Sequence, residues 1–72
     1  MVSDNEAKLR TVLNYWIEHN QEHSKEFGDW AAKAREFGEL DIAEEILLAA
    51  KELDKASGLL LKALERLDTK GK

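Results

Sequence analysis

The sequence has no cysteine and no proline, and only four of its 72 residues are glycine. Without cysteine there is no disulfide and no thiolate metal site. A domain this small then depends on self-association, a histidine or carboxylate metal site, or unusually good helix packing. The lack of proline, with Ala, Leu, Glu and Lys abundant, leaves long helices uninterrupted. Long apolar runs are missing too. The longest, Ile46-Leu47-Leu48-Ala49-Ala50, is far short of a membrane span. Met1 to Glu6 carry neither the positive start nor the apolar core of a signal peptide, so a cytoplasmic location is expected. Eleven Lys and Arg are interspersed among fifteen Asp and Glu, for a net charge of −4. There is no basic stripe with interleaved aromatics, and no nucleic-acid partner is expected.

What is present is a single domain over residues 1–72 with two helical repeats. Ser3 and Glu6 form a capping box that predicts a helix from about Asp4. From there Leu9, Leu13, Trp16, Asn20, His23, Phe27, Trp30, Ala34 and Phe37 recur at alternating steps of four and three, an apolar seam with two polar members at its midpoint. Gly38 is a natural left-handed stop, so helix 1 is expected over about 4–37. Gly28 would permit a kink, and with it a three-helix alternative.

Asp41 and Glu44 read as a second capping box that opens helix 2, expected over about 41–67. Its seam is Ile42, Ile46, Ala49, Leu53, Ala56, Leu60, Ala63 and Leu67. A turn of so few residues makes the helices antiparallel neighbours. The expected pairing sets Phe37 by Ile42, Trp30 by Ala49 and Trp16 by Ala63, large against small. The fold class is therefore an all-α antiparallel helical hairpin, with a polar, frayed tail over 68–72. A second stripe, Ala43, Leu47, Ala50, Ser57, Leu61 and Leu64, would face water in a lone hairpin. Such a strip marks an interaction face, and a homodimer forming a four-helix bundle is the economical way to cover it.

The chemistry-bearing segment is His19-Asn20-Gln21-Glu22-His23. Histidines four apart lie one turn from each other on a helix, a workable chelating pair for zinc, nickel, cobalt or copper. Glu22 and Glu26 are the carboxylates within reach, so the candidate metal ligands are His19, His23, Glu22 and Glu26, with zinc or nickel the expected ions. The string His19-x-x-Glu22-His23 matches the H-x-x-E-H of inverted zinc proteases. Those enzymes need a distant third ligand and a peptide cleft, which a short hairpin does not offer. Ferritin-like di-iron sites use Glu-x-x-His, and here Trp16 and Asn20 stand where the Glu would be. Ser24 and Ser57 have no pocket, and Gly28, Gly38 and Gly58 are isolated and form no phosphate loop. No enzyme is expected.

Two further accounts of the same residues are structural. Asn20 and His23 can be a polar layer that fixes register and oligomer state at some cost in stability. The histidines can also make an interface sensitive to pH, since histidine changes charge near neutrality. Without a metal, the chain is a protein-binding or oligomerisation module whose partner packs on Leu47, Leu61 and Leu64.

The string Trp16-Ile17-Glu18-His19-Asn20-x-Glu22-His23, with Trp30-Ala31-x-Lys33-Ala34 and Ala43-Glu44-Glu45-Ile46, resembles a small uncharacterised domain of archaea and bacteria. The resemblance covers about Leu9 to Leu67. It implies an all-helical, non-enzymatic module, and its HNxEH element hints at transition-metal handling.

Overall fold

The computed structural model describes residues 4–70, with the side chain of Lys70 left aside. The capping box at Ser3 and the tail residues Gly71 and Lys72 lie outside the described residues. Two antiparallel helices make up the fold, α1 (Asp4–Glu36) and α2 (Leu40–Lys70). Acidic Asp4 and Glu6 in the first turn of α1, and basic Lys33 and Arg35 in its last, complement the helix macrodipole. The helix runs unbroken through Gly28, so the described residues form two helices and not three. One glycine costs about 1 kcal/mol in a helix interior, too little to interrupt a helix packed along its whole length.

The turn is a Schellman motif. Gly38 has φ +85°, its N–H donates to Arg35 O at 3.0 Å, and the Glu39 N–H donates to Ala34 O at 2.9 Å. These bonds satisfy carbonyls that the end of α1 would leave free. The tightness of the turn starts α2 one residue earlier than its capping pattern indicates. The Ala43 N–H already donates to Glu39 O at 3.0 Å, so Asp41 sits inside the first turn instead of capping it. There its carboxylate favours the helix through the positive end of the dipole. At the far end α2 continues through Asp68 and Thr69, where a frayed tail was expected. Asp68 is paired with Arg10 across the hairpin, and the Thr69 hydroxyl donates back to Glu65 O and Arg66 O at 3.1 and 3.2 Å.

The hairpin forms as the repeats predict, but each helix is rolled about its axis. On α1 the inner rows are Leu13, Asn20, Phe27 and Ala34 together with Arg10, Ile17, Ser24 and Ala31. On α2 they are Ile46, Leu53, Leu60 and Leu67 together with Ala43, Ala50, Ser57 and Leu64. One row of each expected seam is thus inside, and the other is replaced by its neighbour one residue on. Since each residue turns the helix by about 100°, moving one of two rows rolls the seam by roughly half of that. Trp16, Trp30 and Phe37 are 48%, 55% and 69% exposed and do not pack against the alanines of α2. Conversely Ala43 and Ala50, expected on an outward interaction face, are buried in the hairpin, Ala43 completely.

Size explains the roll. Near the turn the contact is made by Ala31, Ala34, Ala43 and Ala50, all small enough for close backbone approach. Towards the open end the helices are spaced by Leu13, Ile17 and Leu67. Indoles in the Trp16 and Trp30 row would hold the helices apart along the alanine-rich half. Register is fixed by polar contacts in the seam. The Ser24 hydroxyl donates to Asp54 Oδ1 at 2.8 Å, and the Arg10–Asp68 pair lies four helical turns away. The result is a rod of 55 × 14 × 11 Å. Among the described residues no helix is long and apolar enough to cross a membrane.

Two glycine substitutions should act in opposite directions. A Cβ added at Gly28 or at Gly38 meets nothing within 4 Å, so backbone conformation alone decides. Gly38→Ala forces a side chain into the left-handed region and is expected to destabilise by about 1–2 kcal/mol. Gly28→Ala should stabilise by about 0.5–1 kcal/mol. Urea unfolding of the two variants measures both. The Ser24–Asp54 bond should show as a coupling of about 1 kcal/mol in a double-mutant cycle with alanine at each position.

Candidate functional site

The roll of α1 decides where the site lies. His23 belongs to the row Leu9, Trp16, His23, Trp30 and Phe37, which flanks the helix contact and stays outside it. The displaced row of α2, Ile42, Ala49, Ala56 and Ala63, turns to the same side. A groove of about 480 Å³ opens on that side, lined by Phe27, Ile42, Ile46 and Ala49 together with the carboxylates Asp41 and Glu45. On the other side a second groove runs between Gly28, Ala31, Arg35 and Leu47. One broad face of the hairpin is therefore aromatic on α1 and aliphatic on α2, with a histidine at the centre of its aromatic row. The opposite face carries Asn14, Gln21 and Arg35 beside Leu47 and Leu61 and is far more polar.

His19 and His23 meet directly. Their Nε2 atoms are 3.0 Å apart, with ring centroids at 4.4 Å and planes nearly perpendicular. The contact requires one Nε2 to donate and the other to accept. The Glu26 carboxylate, 3.4 Å from His23 Nδ1, favours the proton on that nitrogen, which would leave Nε2 of His23 to accept from His19. The rings are supported on both sides. Tyr15 stacks on His19 at 5.4 Å between centroids, and Phe27 lies 6.2 Å from His23. Four aromatic rings thus follow one another up α1 from Tyr15 to Phe27, each about one turn from the next.

Of the four expected ligands, the structure brings two together. His19 and His23 converge through Nε2. Glu26 stands beside the far nitrogen of His23, at 3.4 Å from Nδ1, and does not converge with the two Nε2 atoms. Glu22 is exposed. Among the described residues no group of three or more His, Asp or Glu side chains is gathered to hold a metal ion. Of the expected interaction face, Leu47 and Leu61 are exposed, Leu64 is half-buried in the seam, and Ala43 and Ala50 are inside. The sequence pattern missed Ser24 and Asp54. Asp54 breaks the second stripe of α2, and a lone carboxylate in an apolar stripe is the signal that it has a partner.

The model of a domain of unknown function, DUF8180, matches residues 9–67. The chain belongs to this family. Membership agrees with the resemblance to a small uncharacterised domain and carries no activity with it. Neither a curated protein nor a solved structure matches the chain. The matched span opens at Leu9, the first member of the aromatic row, and closes at Leu67, the last buried residue of α2. It is thus the packed part of the hairpin together with its aromatic face.

The tautomers are testable. Long-range ¹H–¹⁵N spectra of the metal-free protein should show His23 as the Nδ1–H form and His19 as the Nε2–H form. Glu26→Gln should leave His19 unchanged and mix the two forms of His23.

Proposed function

We propose that this protein is a non-catalytic association module. It pairs with a second copy of itself through the face bearing Leu9, Trp16, His23, Trp30 and Phe37, and two hairpins stacked on that face make a four-helix bundle. The observation that carries this is the exposure of both tryptophans and Phe37 on one side of the molecule, beside the exposed Ile42. A contiguous aromatic and aliphatic surface of this kind is costly to leave in water.

Area supports the same partner. The chain exposes 5794 Å², whereas a compact monomer of 8.2 kDa exposes about 4,500 Å². The excess is about 1,300 Å² per chain. Covering half of it on each of two copies would bury about 1,300 Å² in total, which is within the range of stable interfaces. Shape agrees: the Cα radius of gyration is 16.4 Å, against about 11 Å for a compact domain of this length. A second rod alongside the first corrects both. The association face proposed here is the aromatic one, in place of the Leu47 and Leu61 stripe that the sequence pattern pointed to.

A second reading is favoured by the approach of the two imidazoles. In it the module holds a divalent transition-metal ion, zinc or nickel, on His19 and His23, with Glu26 steadying His23 and Glu22 nearby. A pure protein-binding role without metal remains its rival, with the His19–His23 contact serving only as a polar element of the face.

Sedimentation equilibrium tests the main reading. The expected mass is twice the 8.2 kDa of the chain. Trp30→Glu should weaken association by at least roughly 30-fold, the loss typical of one buried aromatic anchor. Leu61→Glu, on the opposite face, should leave the dimer intact. A monomer at all concentrations, or a dimer broken by Leu61→Glu and not by Trp30→Glu, refutes the aromatic face as the contact.

A further inference from the structure

We infer that His19 and His23 from two copies of the chain together hold one divalent transition-metal ion at the middle of the bundle. This rests on the self-association proposed above. The ligand class is a borderline cation such as zinc or nickel, which accepts imidazole nitrogen.

The first support is distance. Two nitrogens bound to one tetrahedral zinc at about 2.0–2.1 Å stand about 3.3 Å apart. The Nε2 atoms of His19 and His23 are already 3.0 Å apart, so binding needs only a slight separation together with a turn of the rings that aims both lone pairs at one point. The second is preparation of the ligands. Glu26 stands 3.4 Å from Nδ1 of His23 and favours the proton there, which leaves the Nε2 lone pair for a metal, as partners of metal-bound histidines commonly do. Tyr15 and Phe27 flank the two rings. In the metal-free chain the Nε2–H of His19 occupies the place the ion would take. On binding, that proton leaves to solvent and Nδ1 of His19 takes one up, so both rings ligate as neutral imidazoles with no net change in protons.

The third support is incompleteness. Two nitrogens fill half of a tetrahedral site, and Asp54, the carboxylate of α2 level with them, is bonded to Ser24 instead. No third His, Asp or Glu joins the pair among the described residues. The missing half is supplied by symmetry. His23 is the middle member of the five-residue aromatic row. If the hairpins stack with their loops at opposite ends, α1 lies against its own copy, and a two-fold axis passing between His19 and His23, about half a turn from the centre of that row, sets the two pairs face to face. The second pair of histidines then faces the first. Four imidazoles from two chains close the coordination shell, and the ion bridges the bundle.

The test uses the full chain, stripped with chelator and titrated with zinc chloride and separately with nickel chloride. Bound metal is measured by equilibrium dialysis, and mass by sedimentation equilibrium with and without metal. The expected result is one ion per two chains at micromolar or tighter affinity, with the dimer tightened at least tenfold. The double variant His19→Ala with His23→Ala should lose uptake by more than 100-fold. Both side chains project from the surface of α1, so circular dichroism should show an unchanged helix content. One ion per chain, uptake that survives the double variant, or no uptake overturns the inference. The two proposals fail separately. A metal-free dimer that takes up no ion keeps the association reading and removes the metal site. A chain that is monomeric until one ion joins two copies keeps the site and removes self-association in the absence of metal.

Discussion

The close approach of two helices through Ala31, Ala34, Ala43 and Ala50 sets the geometry on which the other features depend. Alanine at these four places lets the backbones come together beside a turn of very few residues, and no larger side chain fits there without pushing them apart. Once the alanine rows are inside, the neighbouring rows must be outside. Trp16, Trp30 and Phe37 are thereby turned outward, and His23 with them. The exposed aromatic face is a direct consequence of the small-residue contact.

Polar chemistry is divided between the two regions. In the seam, Ser24 with Asp54 and Arg10 with Asp68 fix how far one helix slides along the other. A slip of one turn would break both pairs, at a cost of about 1 kcal/mol for a bond of this kind. On the outer face, the His19–His23 contact does nothing for the hairpin, since both residues lie on α1. A pair of imidazoles supported by Tyr15, Glu26 and Phe27 is more structure than a helix surface requires for its own stability. That surplus is why the pair is read as part of a site, and why its central place in the aromatic row matters.

Size bears on function in the same direction. A two-helix rod has little interior, because each helix buries only the stripe that touches the other. Its large side chains are instead displayed along one side. The proposed role of that surface is recognition of another extended surface. Membership in a family of unknown function is compatible with this view and adds no competing activity.

The sequence alone determined two long helices, their stop at Gly38, their antiparallel pairing and the one-turn spacing of His19 and His23. These are local or periodic properties: a glycine that accepts φ +85°, repeats of four and three, and side chains four residues apart on one helix. It also put the row of Leu13, Phe27 and Ala34 and the row of Ile46, Leu53 and Leu60 in the contact correctly. What it could not decide was the second row on each helix. Apolar residues occupied both candidate rows, so hydrophobicity did not discriminate between Trp16 and Ile17, or between Ala49 and Ala50. Only the packed structure compared their volumes across the contact, chose alanine over tryptophan near the turn, and so rolled both helices to leave the aromatic row and His23 on the outer face. The place of Glu26 was settled in the same way. Spacing placed it near His23, and only the folded geometry showed it beside Nδ1, with Nε2 turned to His19.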